Sequence, residues 1–431
     1  MGDVMVIKFK EQFSLGVASA ATQIEGGECG HNWNDWYAKG KIKDHSNPAR
    51  ATDHYHLWKE DTDLMAKMKI QHYRLGIEWA RICPKEGKVD DAAIAHYREE
   101  LLYLKEKGIA VLLTIHHFTN PMWFERKGGF TKKENLKDFL DFVELVVNSF
   151  GDLVSEYITI NEPNVYATNS YYFGEWPPGE KSIRKAVRVM SNMAICHIKA
   201  YQLIHHIRKE MGYQDTKVSF ANHVRVFDPQ KSTNIWHRTC AKLLERLFQG
   251  AITEAMTTGN FTWPLKKEKK ISRGEYLDFI AINYYTRSTV SGFADGTKED
   301  APKNDLGWEI YPEGLIRCTD KIYQLLERPI YITENGTCDN LDTFRSKYIY
   351  EHLKVISESK LPITRYYHWC FCDNFEWVEG ESARFGLVYV NYETQERTIK
   401  TSGKFYTRMI EENGITEEMY KEYVEPQRYH E

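Results

Sequence analysis

The chain has 431 residues, 42% hydrophobic and 27% charged, and its 57 Lys and Arg against 61 Asp and Glu give a formal net charge of −4. This composition excludes a disordered chain. Positive and negative charges nearly balance, so we expect neither nucleic acid nor a membrane as a partner. No stretch approaches the roughly 18 apolar residues of a membrane span, and the first residues show no secretory signal pattern, which predicts a cytoplasmic location.

Short β-rich segments alternate with longer segments of helical periodicity, the pattern of repeated βα units around a parallel sheet. The predicted strands are Phe13–Ala20, His72–Trp79, Ala110–His117, Glu156–Pro163, Lys217–Val224, Asp278–Tyr285, Ile330–Gly336 and Tyr366–Asn374. The helices predicted between them include Thr52–Lys69, Asp91–Lys107, Lys132–Ser149, Ser182–Met211 and Leu341–Ser359. Eight such units without a Pro- or Ser-rich linker predict an α/β fold, a single (β/α)8 barrel that forms one domain over residues 1–431.

Two of these strands end in a glutamate. The fourth strand leads into Asn161, Glu162 and Pro163, and the seventh into Glu334. The carboxyl ends of barrel strands build the active-site face, and the fourth and seventh strands lie across the mouth from each other. A single Glu at a strand end is more often an ion-pair or capping residue. Two that face each other suit glycoside cleavage, in which one carboxylic acid protonates the leaving oxygen while the other carboxylate attacks or activates water.

Several motifs occur in order along nearly the whole chain and carry a family resemblance. They are Phe13–Gly26, Tyr73–Ile82, Thr114–Pro121, Ile160–Asn164, Ile332–Gly336, Trp369–Trp377 and Arg384–Tyr389. Together they resemble glycoside hydrolase family 1, the β-glucosidase and β-galactosidase family. The resemblance implies a retaining β-glycosidase, most of all a β-glucosidase, that acts by double displacement without a metal or other cofactor. Its substrate would be a small unphosphorylated β-glycoside or short oligosaccharide, from which it would hydrolyse the terminal non-reducing sugar.

The same resemblance implies a role for each candidate site residue. Glu162 would be the acid/base and Glu334 the nucleophile that forms a glycosyl-enzyme. Arg74, Tyr285 and Asn283 would support the nucleophile, with Arg74 keeping it ionised. Neighbouring groups are therefore expected to keep Glu162 protonated and Glu334 charged. The residues that would hold the sugar are Gln23, His117, Asn161, Trp369, Glu376 and Trp377.

The chain departs from the commonest family pattern at a few positions. His116 precedes His117, Asn164 follows the acid/base motif, and Leu15 stands in the first strand where a Trp is frequent. These residues are expected to touch the pocket wall or the leaving-group side. The differences therefore do not change the predicted reaction, but they leave the preferred aglycone undetermined.

The loop after the eighth strand bears on phosphorylated substrates. Glu376 is followed by Val378–Arg384, which adds two acids and no Lys. A carboxylate there would repel a sugar phosphate, so a 6-phospho-β-glucosidase remains the lesser alternative.

Two further alternatives come from other functional classes. A metal-dependent barrel hydrolase is suggested by His54, His56 and the pair at 116–117. Residues two apart on a helix and neighbours on a strand point in different directions, so these histidines do not converge on one ion. A non-catalytic sugar-binding relative usually lacks one catalytic carboxylate, and this chain keeps both. The choice among glucose, galactose and fucose, and the oligomeric state, stay open.

Overall fold

The computed structural model of the chain describes residues 4–266 and 269–430. Eight parallel strands within these ranges close into a barrel in chain order: β1 Ser14–Ala18, β2 His72–Gly76, β3 Ala110–His116, β4 Glu156–Asn161, β5 Lys217–Pro229, β6 Ile280–Ser291, β7 Ile330–Asn335 and β8 Ile363–Trp369. Each strand pairs with the next, and β8 pairs back onto β1. The predicted (β/α)8 barrel is confirmed.

A helix follows each strand and covers the outside of the barrel. These helices are α1 His54–Lys67, α2 Asp91–Glu106, α3 Leu136–Phe150, α4 Ile183–Glu210, α5 Ala251–Thr258, α6 Glu313–Tyr323, α7 Arg345–Glu358 and α8 Thr401–Glu411. In α3 the buried side chains recur every three or four residues and face the sheet: Leu136, Phe139, Phe142, Val143, Val146, Val147 and Phe150. Each such side chain stabilises the fold by roughly 1.5–3 kcal/mol when fully buried.

Further elements lie in the loops and at the chain ends. The helices among them are Ala21–Ile24, Asn32–Ala38, Trp79–Ile82, Met122–Arg126, Pro163–Ala167, Ile235–Glu245 and Glu417–Met419. The tighter or wider helical turns are Gly129–Thr131, Lys133–Asn135, Thr168–Phe173, Arg246–Gly250, Trp377–Glu379 and Tyr420–Val424. The short strands are Met5–Lys8, Ala294–Gly296, Val388–Val390, Arg397–Ile399 and Gly414–Thr416. None of the helices in the described ranges combines the length and the apolar character needed to cross a membrane.

Several predicted element bounds were wrong. Helix α7 begins at Arg345 rather than at residue 341, because the Asp339 carboxylate accepts hydrogen bonds from the backbone N–H groups of Thr343, Phe344 and Arg345. Helix α3 begins four residues later than predicted, since two separate 3-10 turns occupy the chain before it.

Strands β5, β6 and β8 also differ from the prediction. Strands β5 and β6 run past their predicted ends because they continue to pair with each other as far as Pro229 and Val290. Strand β8 begins at Ile363 rather than at residue 366, and it ends at Trp369. The next residues leave the sheet because, apart from one bond from the Phe371 N–H to Ala18 of β1, their backbone groups bond to residues 385–388. This departure places the loop that carries Glu376 over the mouth of the barrel.

Candidate active site

Glu162 and Glu334 lie at the carboxyl ends of β4 and β7. Glu162 directly follows β4 with a φ of +42°, a left-handed conformation that is uncommon for residues other than glycine. Pro163 then begins a short helix, so the chain turns sharply at this glutamate. Glu334 pairs with Asn283 of β6 across the sheet. Only 5% of Glu162 and 3% of Glu334 is exposed, so their charges act through little water.

Two donors hold the Glu334 carboxylate, one on each oxygen. Arg74 Nη1, from β2, lies 2.5 Å from Glu334 Oε1. The Tyr285 hydroxyl, from β6, donates to Glu334 Oε2 at 2.6 Å. The guanidinium of Arg74 is fully buried and its Nε donates to the Thr114 hydroxyl at 3.0 Å. The carboxylate is therefore oriented from the neighbouring strand β6 and from β2, which does not pair with β7, before any ligand is considered.

Asn161 forms hydrogen bonds with donors of both carboxyl groups and with His117. Its Oδ1 accepts from Arg74 Nη2 at 2.6 Å and from Asn283 Nδ2 at 3.0 Å, which determines which way the amide points. Its Nδ2 therefore donates to His117 Nε2 at 3.0 Å. Because His117 Nε2 accepts, the ring proton is on Nδ1, and His117 Nδ1 has no hydrogen-bond partner among the described residues. A buried donor is thus available at the mouth.

Glu162 has its own pair of neighbours. Asn283 Nδ2 donates to Glu162 Oε1 at 2.8 Å, and His223 Nδ1 lies 3.1 Å from the same oxygen. The sequence analysis did not identify His223, although this residue lies near the predicted end of the fifth strand. A histidine at the carboxyl end of a barrel strand was the signal that could have found it.

The pKa values of the two carboxyl groups are pushed apart in the opposite sense to the one predicted. Burial raises the pKa of Glu334 to about 7, with Arg74 opposing the rise and Glu162 adding to it. Burial also favours the neutral form of Glu162, but His223 and Asn283 outweigh it and hold the pKa of Glu162 below its ordinary value. Arg74 acts on Glu334 in the predicted direction, but burial outweighs it, and His223, which was not among the predicted site residues, favours the charged form of Glu162.

A second set of polar side chains, Gln23 and Glu376, lies beside Glu162 and Glu334. Gln23 Nε2 lies 3.2 Å from Glu376 Oε2 and 2.9 Å from the Phe375 carbonyl oxygen, while Gln23 Oε1 is buried without a partner among the described residues. Burial, with the charge of Glu334 adding to it, raises the pKa of Glu376 to about 8 against hydrogen bonds from Gln23 and Trp369. Glu376 is therefore protonated near pH 7 and both donates and accepts, so its repulsion of a phosphate is weaker than the sequence analysis assumed.

Aromatic rings enclose this end of the site. Trp369 and Trp377 stack on the His117 ring, with centroids 5.8 and 5.9 Å away. Trp377 also packs against Trp33, at a centroid distance of 4.8 Å. The structure thus brings all the predicted site residues into one connected group at the mouth of the barrel.

The positions that depart from the family pattern do not all touch the site. Leu15 is the second residue of β1 and is buried in the core at the amino end of the barrel, so its expected place at the pocket wall was wrong. Asn164 donates to the His223 carbonyl oxygen at 3.0 Å, and His116 Nε2 lies 2.9 Å from Asn120 Oδ1. Both side chains are buried and form these hydrogen bonds within the protein.

His54, which suggested the metal alternative, has acidic partners. Its ring nitrogens lie 2.8 Å from Asp61 Oδ2 and 2.9 Å from Glu100 Oε1. Burial alone would lower the pKa of His54, but Glu100 and Asp61 raise it to about 10. The imidazolium has no lone pair to offer a metal ion, so His54 serves as the cation of a buried ion-pair cluster.

The barrel brings together two buried carboxyl groups at the ends of β4 and β7. Unpaired hydrogen-bond donors and acceptors and several aromatic rings lie beside them. This combination is typical of the active site of a glycoside hydrolase. The sequence model of glycosyl hydrolase family 1 matches residues 5–415. The chain belongs to this family and is a β-glycosidase.

Individual relatives agree with this assignment. The chain is 32% identical to beta-glucosidase A of Thermotoga maritima over an alignment of 448 positions that covers 95% of this chain and 99% of that protein. Its structure resembles the beta-glycosidase from Pyrococcus horikoshii with a TM-score of 0.88 at 33% identity, covering 97% of this chain and 99% of the other. It also resembles the beta-glucosidase from Thermotoga maritima in complex with glucoimidazole, with a TM-score of 0.86 at 29% identity, covering 95% and 100%.

Proposed function

We propose that the chain is a retaining β-glucosidase that removes the terminal non-reducing glucose from neutral, unphosphorylated β-glycosides, and that its whole length is one catalytic domain. Glu162 is the general acid and base, and Glu334 is the nucleophile. The observation that carries the proposal is that each carboxyl group has its own donors: Arg74 and Tyr285 for Glu334, and His223 with Asn283 for Glu162. The T. maritima relative named a beta-glucosidase supports glucose as the sugar.

In the first step a Glu334 oxygen forms a bond to C1 of the sugar while the bond from C1 to the aglycone oxygen breaks. The proton on Glu162 passes to that leaving oxygen. In the second step the Glu162 carboxylate takes a proton from water, whose oxygen bonds to C1 as Glu334 departs. Arg74 and Tyr285 stabilise the negative charge that returns to Glu334. Two displacements at C1 leave its configuration unchanged.

The first step needs a single proton on the pair, and this proton must be on Glu162. His223 and Asn283 favour the ionised form of Glu162, which opposes that placement. A bound glycoside changes the balance because its glycosidic oxygen accepts a hydrogen bond from protonated Glu162. The two donors on Glu334 then stabilise the remaining carboxylate.

The sugar hydroxyl groups meet the unpaired polar atoms of the site. Gln23 Oε1 accepts from a hydroxyl, and the Nδ1–H of His117 donates to one. Protonated Glu376 does both, beside Gln23. Trp377 offers an indole to the apolar face of the ring. Pairing these buried atoms with hydroxyl groups removes the cost of leaving them unsatisfied, which favours a neutral sugar over an apolar ligand.

The stereochemistry of the product tests the proposal. We expect retention, because attack by Glu334 and then by water inverts the configuration at C1 twice. NMR spectra taken during the first turnovers of a p-nitrophenyl β-glucoside should show β-glucose before mutarotation. The appearance of α-glucose first would contradict the mechanism, and no turnover of any aryl β-glycoside would favour the non-catalytic sugar-binding alternative.

Phosphorylated substrates should be disfavoured. The cations around the Glu376 loop already have acidic partners: Lys43 pairs with Glu379, Arg50 with Glu381 and Arg384 with Asp373. A 6-phosphate would have to enter a cleft of reduced dielectric without a free counter-charge from these residues. We expect kcat/KM for p-nitrophenyl β-glucoside to exceed that for its 6-phosphate by about 100-fold, a difference of about 3 kcal/mol. A higher value for the phosphate would refute this specificity.

A further inference from the structure

A chain of polar side chains, buried at His223 and partly buried at Arg225, leads away from Glu162 along strand β5. His223 Nδ1 lies 3.1 Å from Glu162 Oε1, and His223 Nε2 lies 3.3 Å from Arg225 Nη2. His223 and Arg225 are two residues apart on one strand, so their side chains project from the same face. Neither side chain belongs to the group that the sequence analysis assigned to catalysis or to sugar binding.

Arg225 determines where His223 carries its proton. A guanidinium has only donors, so His223 Nε2 must accept from Arg225. The single ring proton is then on Nδ1, which faces Glu162 Oε1. His223 is thereby a donor to the carboxylate oxygen, and a donor of this kind stabilises the charged form of the acid.

The surroundings of Arg225 hold this arrangement in place. The backbone N–H of Arg225 donates to Gln249 Oε1, and Gln249 Nε2 donates to the Arg225 carbonyl oxygen, both at 3.0 Å. The guanidinium lies 5.1 Å from the centroid of the Phe248 ring and 3.6 Å from Asp295 Oδ2. The Phe248 ring also meets the His223 ring edge to face at 5.8 Å. The turn Arg246–Gly250 therefore supports both members of the pair.

We propose that His223 and Arg225 act together as a positioning pair that sets the pH at which Glu162 gives up its proton. The proposal rests on the proposed role of Glu162 as acid/base. A donor aimed at the carboxylate favours the base form that the second step needs. The same donor also makes Glu162 lose its proton at a lower pH, and the first step needs this proton.

Other charged and titratable groups face Glu162 from the neighbouring strands. Arg74 of β2 also favours the ionised form, whereas Glu334 of β7 opposes it by like-charge repulsion. Tyr285 of β6 interacts with both carboxyl groups, and its ring stacks on the His223 ring at 6.1 Å. None of these groups is substituted when only residue 223 is changed, so a change in the pH profile reports on the imidazole.

Substitutions at residue 223 test the proposal. His223→Phe keeps a ring but puts a C–H where Nδ1–H lies, whereas His223→Asn can put an amide N–H at the same position. We expect the basic limb of the kcat profile for phenyl β-glucoside, which reports the enzyme–substrate complex with its proton on Glu162, to move up by about one pH unit in the Phe variant. We expect the Asn variant to keep the wild-type limb. An unmoved limb in His223→Phe, a downward shift, or equal shifts in both variants would overturn the proposal.

A second variant covers the case in which His223→Phe does not fold. Arg225→Met removes the donor to Nε2 and the nearby positive charge, so the basic limb should again move to higher pH. An unchanged limb in this variant would also overturn the proposal. Glu162→Gln separates this result from a failure of the proposed function: if Glu162 is the acid, the basic limb of wild type disappears in that variant. A limb that persists in Glu162→Gln would refute the role of Glu162 itself.

Discussion

Glu334→Ala should reduce kcat for aryl β-glucosides by at least about 10⁴-fold, because the proposed nucleophile that attacks C1 is removed. Azide should restore part of the activity toward 2,4-dinitrophenyl β-glucoside. The anion is small enough to occupy the space of the missing carboxylate, and it meets Arg74 and Tyr285 there. Attack from this side inverts C1 once, so the product should be the α-glucosyl azide, identified by NMR.

Glu162→Ala is the matched control for the azide experiment. In that variant Glu334 still forms the glycosyl-enzyme, and azide enters from the side of the missing acid/base, so the product should be the β-glucosyl azide. Circular dichroism should show that both variants are folded. Near-normal turnover by Glu334→Ala, or the β-azide from it, would show that Glu334 is not the nucleophile.

Glu162→Gln should lower kcat/KM for phenyl and alkyl β-glucosides by about 10²- to 10⁴-fold, the usual contribution of a positioned general acid. The same variant should keep most of its kcat/KM for 2,4-dinitrophenyl β-glucoside, whose phenolate leaves without a proton. Glutamine keeps the volume of the side chain, and its amide oxygen can still accept from Asn283 and His223. The contrast between leaving groups is therefore a measure of proton donation rather than of misfolding.

The dinitrophenyl glucoside should reveal the second role of Glu162. Without a general base, the glycosyl-enzyme is hydrolysed slowly, so a rapid burst of dinitrophenolate should precede a slow steady state. Equal losses on all leaving groups, without a burst, would contradict both roles. A loss confined to KM would instead indicate a residue that only binds substrate.

The strand and helix periodicities in the sequence were sufficient to predict the barrel. The alternation of short apolar runs and amphipathic segments is local, and a parallel sheet with helices outside it follows from that alternation. The end of the fourth strand was predicted at Pro163, two residues past its observed end at Asn161, since a proline cannot continue the hydrogen bonding of a central strand. Because strand ends converge at one face of a barrel, the predicted site residues could be expected to lie close together.

The tertiary structure alone decided three features: the bounds of β8, the location of Leu15 and the electrostatics around the two carboxyl groups. Strand β8 ends at Trp369 because most of the following backbone groups bond to residues 385–388, which return to this segment only after the loop that carries Glu376. The pKa order of Glu162 and Glu334 depends on burial and on donors from other strands, above all His223. The pKa values depend on the distances between these groups in space, and such distances cannot be derived from the spacing of residues along the sequence.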